Sequence, residues 1–320
     1  MRQYALLLFL CGCTNLTIEQ AQRLEICQRN APLYFEGGKL GQALIQVENG
    51  LEISPDDYKL NVIKGAVLLR ASERDPKMLN QALEILERVY DWRSPNRHEP
   101  YELFYFGLAR QKQGLRHLGN AIRLEDRASR APDDKRHKDF ESQAVEQRQM
   151  ANGRLREADE LLAHLVDRGE LLRMTYNHRL QIARQLGDDE LFHESAEAYL
   201  GQMTQEVQFV ENELKRTVIP DYEADKYKEL LDLKAEELDV RALYADWHFH
   251  RKNFQAALDQ MNIVLQLDPT RSDNYYNRGR VRIELNDTEN AKDDFRYFLA
   301  TSQLPASSAK KTFATKVLTQ

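Results

Sequence analysis

Glycine and proline are scarce, 14 and 9 among 320 residues, and no Gly/Pro-rich or Ser-rich run separates two blocks of the chain. That leaves no candidate for a flexible interdomain linker, and one continuous architecture is expected. An excess of basic charge is also missing: the formal net charge is -6. Even the densest basic stretch, Arg123 to Lys138, contains Glu125, Asp126, Asp133 and Asp134, so the footprint of a nucleic-acid binder is absent. The sequence contains no Walker loop, Gly-rich dinucleotide turn, Gly-x-Ser-x-Gly elbow, HExxH or CxxC spacing. Long apolar runs are lacking as well. Tyr4 to Leu10 spans seven residues, far short of the ~20 that cross a hydrocarbon core. What is plentiful is apolar and charged side chains, 42% and 30%, a balance that suits an elongated fold better than one large core.

The short apolar run has a context. Arg2 precedes it and Leu10-Cys11-Gly12-Cys13 follows, the layout of a small signal peptide. Leu, a small residue and Gly before a Cys resembles the lipobox of bacterial lipoproteins. On that resemblance residues 1–12 are removed, Cys13 receives diacylglycerol and becomes the mature N-terminus, and residues 13–23 are the lipidated Cys with a short tether. Thr14, where Asp would signal retention, implies the outer membrane with the protein facing the periplasm. Loss of Arg2 leaves 44 basic side chains against 51 acidic ones, so lipid and not charge would do the anchoring. Only Cys27 would remain free, and no intramolecular disulfide could form. The alternative is an incidental apolar start on a cytoplasmic repeat protein, distinguished by whether the chain partitions into membranes.

A repeat dominates the remainder. Ala245 and Gly279 lie 34 residues apart, and so do Ala257 and Ala291. In units 238–271 and 272–305 these occupy positions 8 and 20, with Phe254 at 17, Tyr275 at 4, Met261 and Phe295 at 24, and Pro269 at 32. The same ruler places Ala31, Ala43 and Pro55 at 8, 20 and 32 of a unit running 24–57, and Cys27 at core position 4. A second unit opens with Gly65, but Ala82, Leu86 and Val89 come five residues late, behind an insertion at 72–77. Tyr101 to Arg110 with Gly107, followed by Ala121, Ala128 and Pro132, reads as a third unit. Leu155, Ala158, Leu162 and Leu165 mark the second helix of a fourth, and 176–200 a weaker fifth. Between 205 and 237 the ruler fails, and a helical spacer or degenerate repeat, broken at Pro220, is expected. Residues 306–320 are left as a C-terminal tail. An irregular helical bundle stays open as the alternative for the middle of the chain.

The 34-residue period with small residues at 8 and 20 resembles the tetratricopeptide repeat, and with Cys13 the chain resembles tetratricopeptide-repeat lipoproteins of bacteria. The resemblance implies an all-α fold, an α-solenoid of helix-turn-helix repeats, that binds other proteins through a peptide or helix in a concave groove, without cofactor or metal and without catalysis. Groove positions in such arrays select Asp239, Asp246 and Phe249 in one unit and Tyr276, Asn277 and Arg280 in the next; Phe249, Tyr276, Asn277 and Arg280 are the candidate lining. Asn and Arg there resemble part of a clamp for a peptide carboxylate, the remainder of which is absent. A solvated helix face is the plainer alternative. His248 and His250 diverge by roughly 200° on a helix and cannot chelate one metal from a common face. Asp188, Asp189 and Glu190, after Gly187, read as helix capping. The rival to the adaptor reading is an envelope enzyme with a site assembled from sequence-distant residues, which a deep pocket of converging carboxylates or histidines would favour over an open groove.

Overall fold

A computed structural model describes residues 16–92, 97–216 and 220–319, the side chains of 220–222 excepted. The expected signal peptide and Cys13 lie outside the described residues. Among those residues there are thirteen helices and no strand, which is the expected all-α class. None of the helices is long and apolar enough to cross a membrane. The chain divides into two compact units, one ending at Asp188 and the other beginning at Asp189.

The first unit holds α1 (Ile18–Glu36), α2 (Leu40–Ile53), α3 (Tyr58–Ala71), α4 (Lys77–Asp91), α5 (Pro100–Ser129), α6 (Asp134–Asp167) and α7 (Leu172–Leu186). The starts follow from local chemistry. Thr17 and Gln20 form a capping box, each side chain accepting from the other's backbone N–H at 3.2 and 2.9 Å. Asp57 caps α3 by accepting from Leu60 N, Pro100 opens α5, and Asp133 caps α6 by accepting from Arg136 N. α1 pairs with α2 and α3 with α4 across the late turn at 72–76. Gly65 on α3 lies so close to Leu86 that an added Cβ would meet that side chain at 2.5 Å.

The expected third and fourth units do not exist separately. Gly107, Ala121 and Ala128 sit on one unbroken 30-residue helix, α5, whose partner is the 34-residue α6 carrying Leu155, Ala158, Leu162 and Leu165. At 1.5 Å per residue these are helices of about 45 and 50 Å. The reason is a seam of small residues at sevens. Gly107, Gly114, Ala121 and Ala128 line α5, and Ala144, Ala151 and Ala158 line α6, the heptad spacing that keeps two helices in register over a long distance. An added Cβ at Gly107 would meet Leu162 at 3.1 Å, and one at Gly114 would meet Leu155 at 2.8 Å and the Ala151 carbonyl at 3.1 Å.

The second unit holds α8 (Asp189–Arg216), α9 (Pro220–His250), α10 (Phe254–Leu267), α11 (Ser272–Glu284), α12 (Thr288–Thr301) and α13 (Ala309–Leu318). The expected spacer is taken up by the end of α8 and the start of α9, which pack on one another; the later part of α9 pairs with α10, and α11 pairs with α12. The tail is also structured, because Ser308 caps α13 and Ala314 is buried with Ala291, Phe295 and Phe298.

The 34-residue register is visible in backbone geometry. Gly38, Lys252 and Asn286, each at position 15, have φ of 70°, 62° and 61°. The next N–H bonds back to position 11 in all three: Lys39 to Tyr34, Asn253 to His248 and Asp287 to Arg282, at 2.8, 2.9 and 2.9 Å. The ends match too, with N–H to carbonyl bonds from Ser54 to Gly50, Asp268 to Val264 and Ser302 to Phe298, position 31 to 27. Ala43, Ala257 and Ala291 at position 20 are buried completely, as are Val47 and Phe295 at 24.

Candidate functional site

Helices α9 and α11 flank a groove in the second unit. Ala242, Ala245, Asp246 and Phe249 come from α9, Asn277, Arg280 and Val281 from α11, and Met261 of α10 lies beneath. Three of the four candidate lining residues therefore meet there. Phe249 is steadied edge-on by Phe254 at 5.6 Å, and its ring carries the Arg280 guanidinium at 4.6 Å from the centroid.

Tyr276 does not join them. It is packed in the core against Phe295 and Phe298, with Phe313 of α13 at 6.1 Å, so the helix expected to be a tail roofs the position that would otherwise face a groove. Burial raises its hydroxyl pKa. Asp239 is also elsewhere, pairing with Arg271 at 3.2 Å.

Arg280 stands out by comparison with its neighbours. Arg278 and Arg282 both bind the buried carboxylate of Asp294, each at 2.7 Å, tying α11 to α12. Arg280 forms no ion pair with any described residue, and its guanidinium lies on the Phe249 face. Its charge stays available, with the Asn277 carboxamide exposed beside it.

The first unit has a groove of different character. Glu87, Asp91, Glu157 and Glu160 surround Tyr90 and Phe106. Here too an arginine lies on a phenylalanine, Arg110 over Phe106 at 5.0 Å, but it bonds to Glu87 at 2.5 Å and lies 3.3 Å from Glu157. Its charge is spent internally.

Several polar residues escaped sequence reasoning. Glu102 is fully buried, accepting from the Tyr58 hydroxyl and lying 2.8 Å from His98 Nδ1, while His98 stacks on Tyr90 at 4.2 Å. The group pins the start of α5 to α3, with Glu102 and His98 buried and Tyr58 and Tyr90 half-buried around them. The signal was Glu99-Pro100-x-Glu102, a helix start with a carboxylate three residues in. In the second unit His248 is buried, which lowers its pKa, while His250 is exposed and 3.5 Å from Asp246, so the two histidines do diverge. Asp189, read as a cap, accepts from Trp247 Nε1 at 3.2 Å and pairs with Arg251, joining the start of α8 to the end of α9. Cys27 is buried and free, and burial pushes its thiol up, as suits a packed side chain.

No protein-family model matches the chain, and no curated protein matches it. Solved structures do resemble it. Nro1 of S. pombe, a nuclear import adaptor and hypoxic regulator of sterol synthesis, is similar with a TM-score of 0.46 and 11% identity over 93% of this chain and 92% of that one. A tetratricopeptide repeat protein from Parabacteroides merdae is similar with a TM-score of 0.33 and 12% identity over 93% and 98%. The TPR2AB domain of yeast Sti1, in complex with pHSP90, is similar with a TM-score of 0.26 and 12% identity over 93% and 96%. Likeness at this level concerns fold alone.

Proposed function

We propose that this chain is a non-catalytic adaptor that holds a protein partner in the groove between α9 and α11 and is anchored through lipid on Cys13 to a bacterial membrane, the outer membrane with the protein facing the periplasm. The observation that carries the binding half is Arg280. A guanidinium without an ion pair, steadied by an aromatic ring over an apolar floor and beside an exposed carboxamide, offers donors to the carbonyls or carboxylate of an extended or helical segment. The spacing Leu10-Cys11-Gly12-Cys13 supports the anchoring half. No cofactor enters this reading.

A photo-crosslinking residue placed at Asn277 in the producing cell is expected to yield a discrete protein adduct that Arg280→Glu abolishes, while the same residue at exposed Lys316 yields none. Equal adducts at both positions, or adducts indifferent to Arg280→Glu, would remove the groove from consideration. The anchor is tested by fatty-acid labelling, which Cys13→Ser should eliminate; undiminished label would refute it.

A further inference from the structure

Helix α1 has two apolar faces, and the fold uses one of them. Leu24, Cys27, Ala31 and Phe35 are buried against the hairpins of the first unit. Ile18, Ile26 and Leu33 stand 77%, 45% and 61% exposed. At 100° per residue these three fall, with Gln22 and Arg29, within an arc of about 80°, centred roughly opposite the buried face. The stripe runs from Ile18 to Leu33, about 22 Å along the helix. None of the three is buried by the described residues.

The chain before the helix says what could cover it. α1 opens at the Thr17 capping box, so Thr14, Asn15 and Leu16 are all that separates it from Cys13, a reach of at most ~14 Å. Acyl chains on Cys13 would fix the first turn, where the most exposed of the three residues lies, at the membrane surface. So short a link turns binding of the stripe to the bilayer into an intramolecular event at high effective concentration, enough to engage three side chains that could not hold a free protein there. We infer that the outer stripe of α1 lies in the headgroup region of the phospholipid bilayer, Ile18, Ile26 and Leu33 directed at the acyl boundary and Arg29 extended toward phosphate. The inference rests on the lipid-anchor reading of Cys13.

It can be tested with the full chain produced in a bacterium and reconstituted in phosphatidylethanolamine–phosphatidylglycerol vesicles. An environment-sensitive fluorophore is attached through Leu33→Cys, or through Arg127→Cys on an exposed part of α5 as reference, Cys27 being buried. The mass of the same preparation reports whether Cys13 carries lipid. The expected result is lipidated protein whose label at 33 is blue-shifted and quenched by nitroxide lipids, while the label at 127 is neither. Ile18→Ser combined with Ile26→Ser should reverse the shift at 33 without releasing the protein from the vesicles. Lipidated protein with an aqueous label at 33 overturns the inference and spares the anchor. Absence of lipid on Cys13 overturns both. A blue shift that grows with protein density and escapes nitroxide quenching would show a second copy of the chain on the stripe, and overturns the inference as well.

Discussion

The regular hairpin α11–α12 and the long hairpin α5–α6 solve one packing problem in two ways. Both bring helices together over small residues, Gly279 and Ala291 in the first, Gly107, Gly114, Ala151 and Ala158 in the second. In α11–α12 the chain turns at a left-handed residue after about fourteen positions, so the small residues recur at the repeat length of 34. In α5–α6 the helices run on, so they recur at seven. The period of the small residues thus reports how far a helix continues before it turns, and a ruler of 34 laid on a heptad finds partial matches that mean something else.

The two hairpins also differ in how charge joins their helices, and the largest predicted effect separates them there. Asp294 is 3% exposed and shared by Arg278 and Arg282, so Asp294→Ala removes the carboxylate that joins two poorly solvated guanidinium groups, leaving Arg278 with Asn262 and Arg282 with the Asn290 carbonyl and the more distant Asp287, and should cost about 3 kcal/mol. The pair Arg148–Glu125 on α5–α6 is bidentate at 2.6 and 2.8 Å but exposed, and Glu125→Ala should scarcely shift a urea midpoint. If the two losses were comparable, the distinction between a buried and a solvated clasp would fail.

Glycine at the seam comes next. At Gly114 a larger side chain meets the Ala151 carbonyl as well as Leu155, so the backbones themselves must separate; at Gly279 the obstacle is the Phe295 ring, 2.8 Å from an added Cβ. Gly114→Leu should cost about 3 kcal/mol and Gly279→Leu somewhat less, both by overpacking. Gly119→Leu, on α5 but with nothing within 4 Å of its Cβ, should be neutral or slightly stabilising, since leucine favours helix over glycine. Thermal melts of the three compare them, and equal midpoints would dissolve the seam.

How much could be read beforehand follows from the same contrast. The positions 8, 20 and 24 of the regular hairpins, the Thr17 capping box and the buried Cys27 were legible because each depends on residues within one helix pair. The continuity of α5 was legible in principle, as Gly107-Gly114-Ala121-Ala128, but Pro132 after Ala128 also fits the end of a repeat, and nothing local distinguishes the two. Tyr276 was misplaced for a different reason: its burial depends on Phe313 and Ala314, some forty residues away on a helix whose own sequence carries little periodic signal. Of the groove, Phe249, Asn277 and Arg280 follow from register. That Arg280 alone of three arginines is uncommitted does not, because it depends on where Asp294 turns.

Acid should act differently on the base and the tip of the long hairpin. At the base His178 lies against Phe104 and Gln111 Oε1, and burial lowers its pKa from 6.5 to about 4. The unfolded chain binds that proton first, so the stability His178 contributes is present above about pH 6.5 and drains as pH falls toward 4, by about 2 kcal/mol at pH 5. At the tip His137 is raised, chiefly by the Ala128 carbonyl and then by Glu141, so its contribution is present below the unfolded pKa and is lost as pH rises through the folded one. Hydrogen exchange at pH 7.5 and 5.5 should therefore show α7 and the base of α5 loosening on acidification while the 129–134 turn tightens, and His178→Gln should remove the first change only. Parallel behaviour of base and tip would contradict the assignment of opposite shifts.

The smallest effect concerns the turn that the long hairpin lacks. Position 15 takes the left-handed conformation in all three regular hairpins, yet only the first places glycine there. For an L-residue that conformation costs roughly 1–2 kcal/mol from the approach of Cβ to the following carbonyl, and asparagine is better tolerated than lysine. Part of the gain from glycine is offset by its greater freedom in the unfolded chain. Lys252→Gly should therefore stabilise the second unit by about 1 kcal/mol, Asn286→Gly by a few tenths, and Gly38→Ala should destabilise the first unit. The ranking tests the shared turn more sharply than any single value, because lysine and asparagine differ only in how well they bear the same φ. If Lys252→Gly lowered the melting temperature, the geometry common to Gly38, Lys252 and Asn286 would not be the one the folded chain adopts.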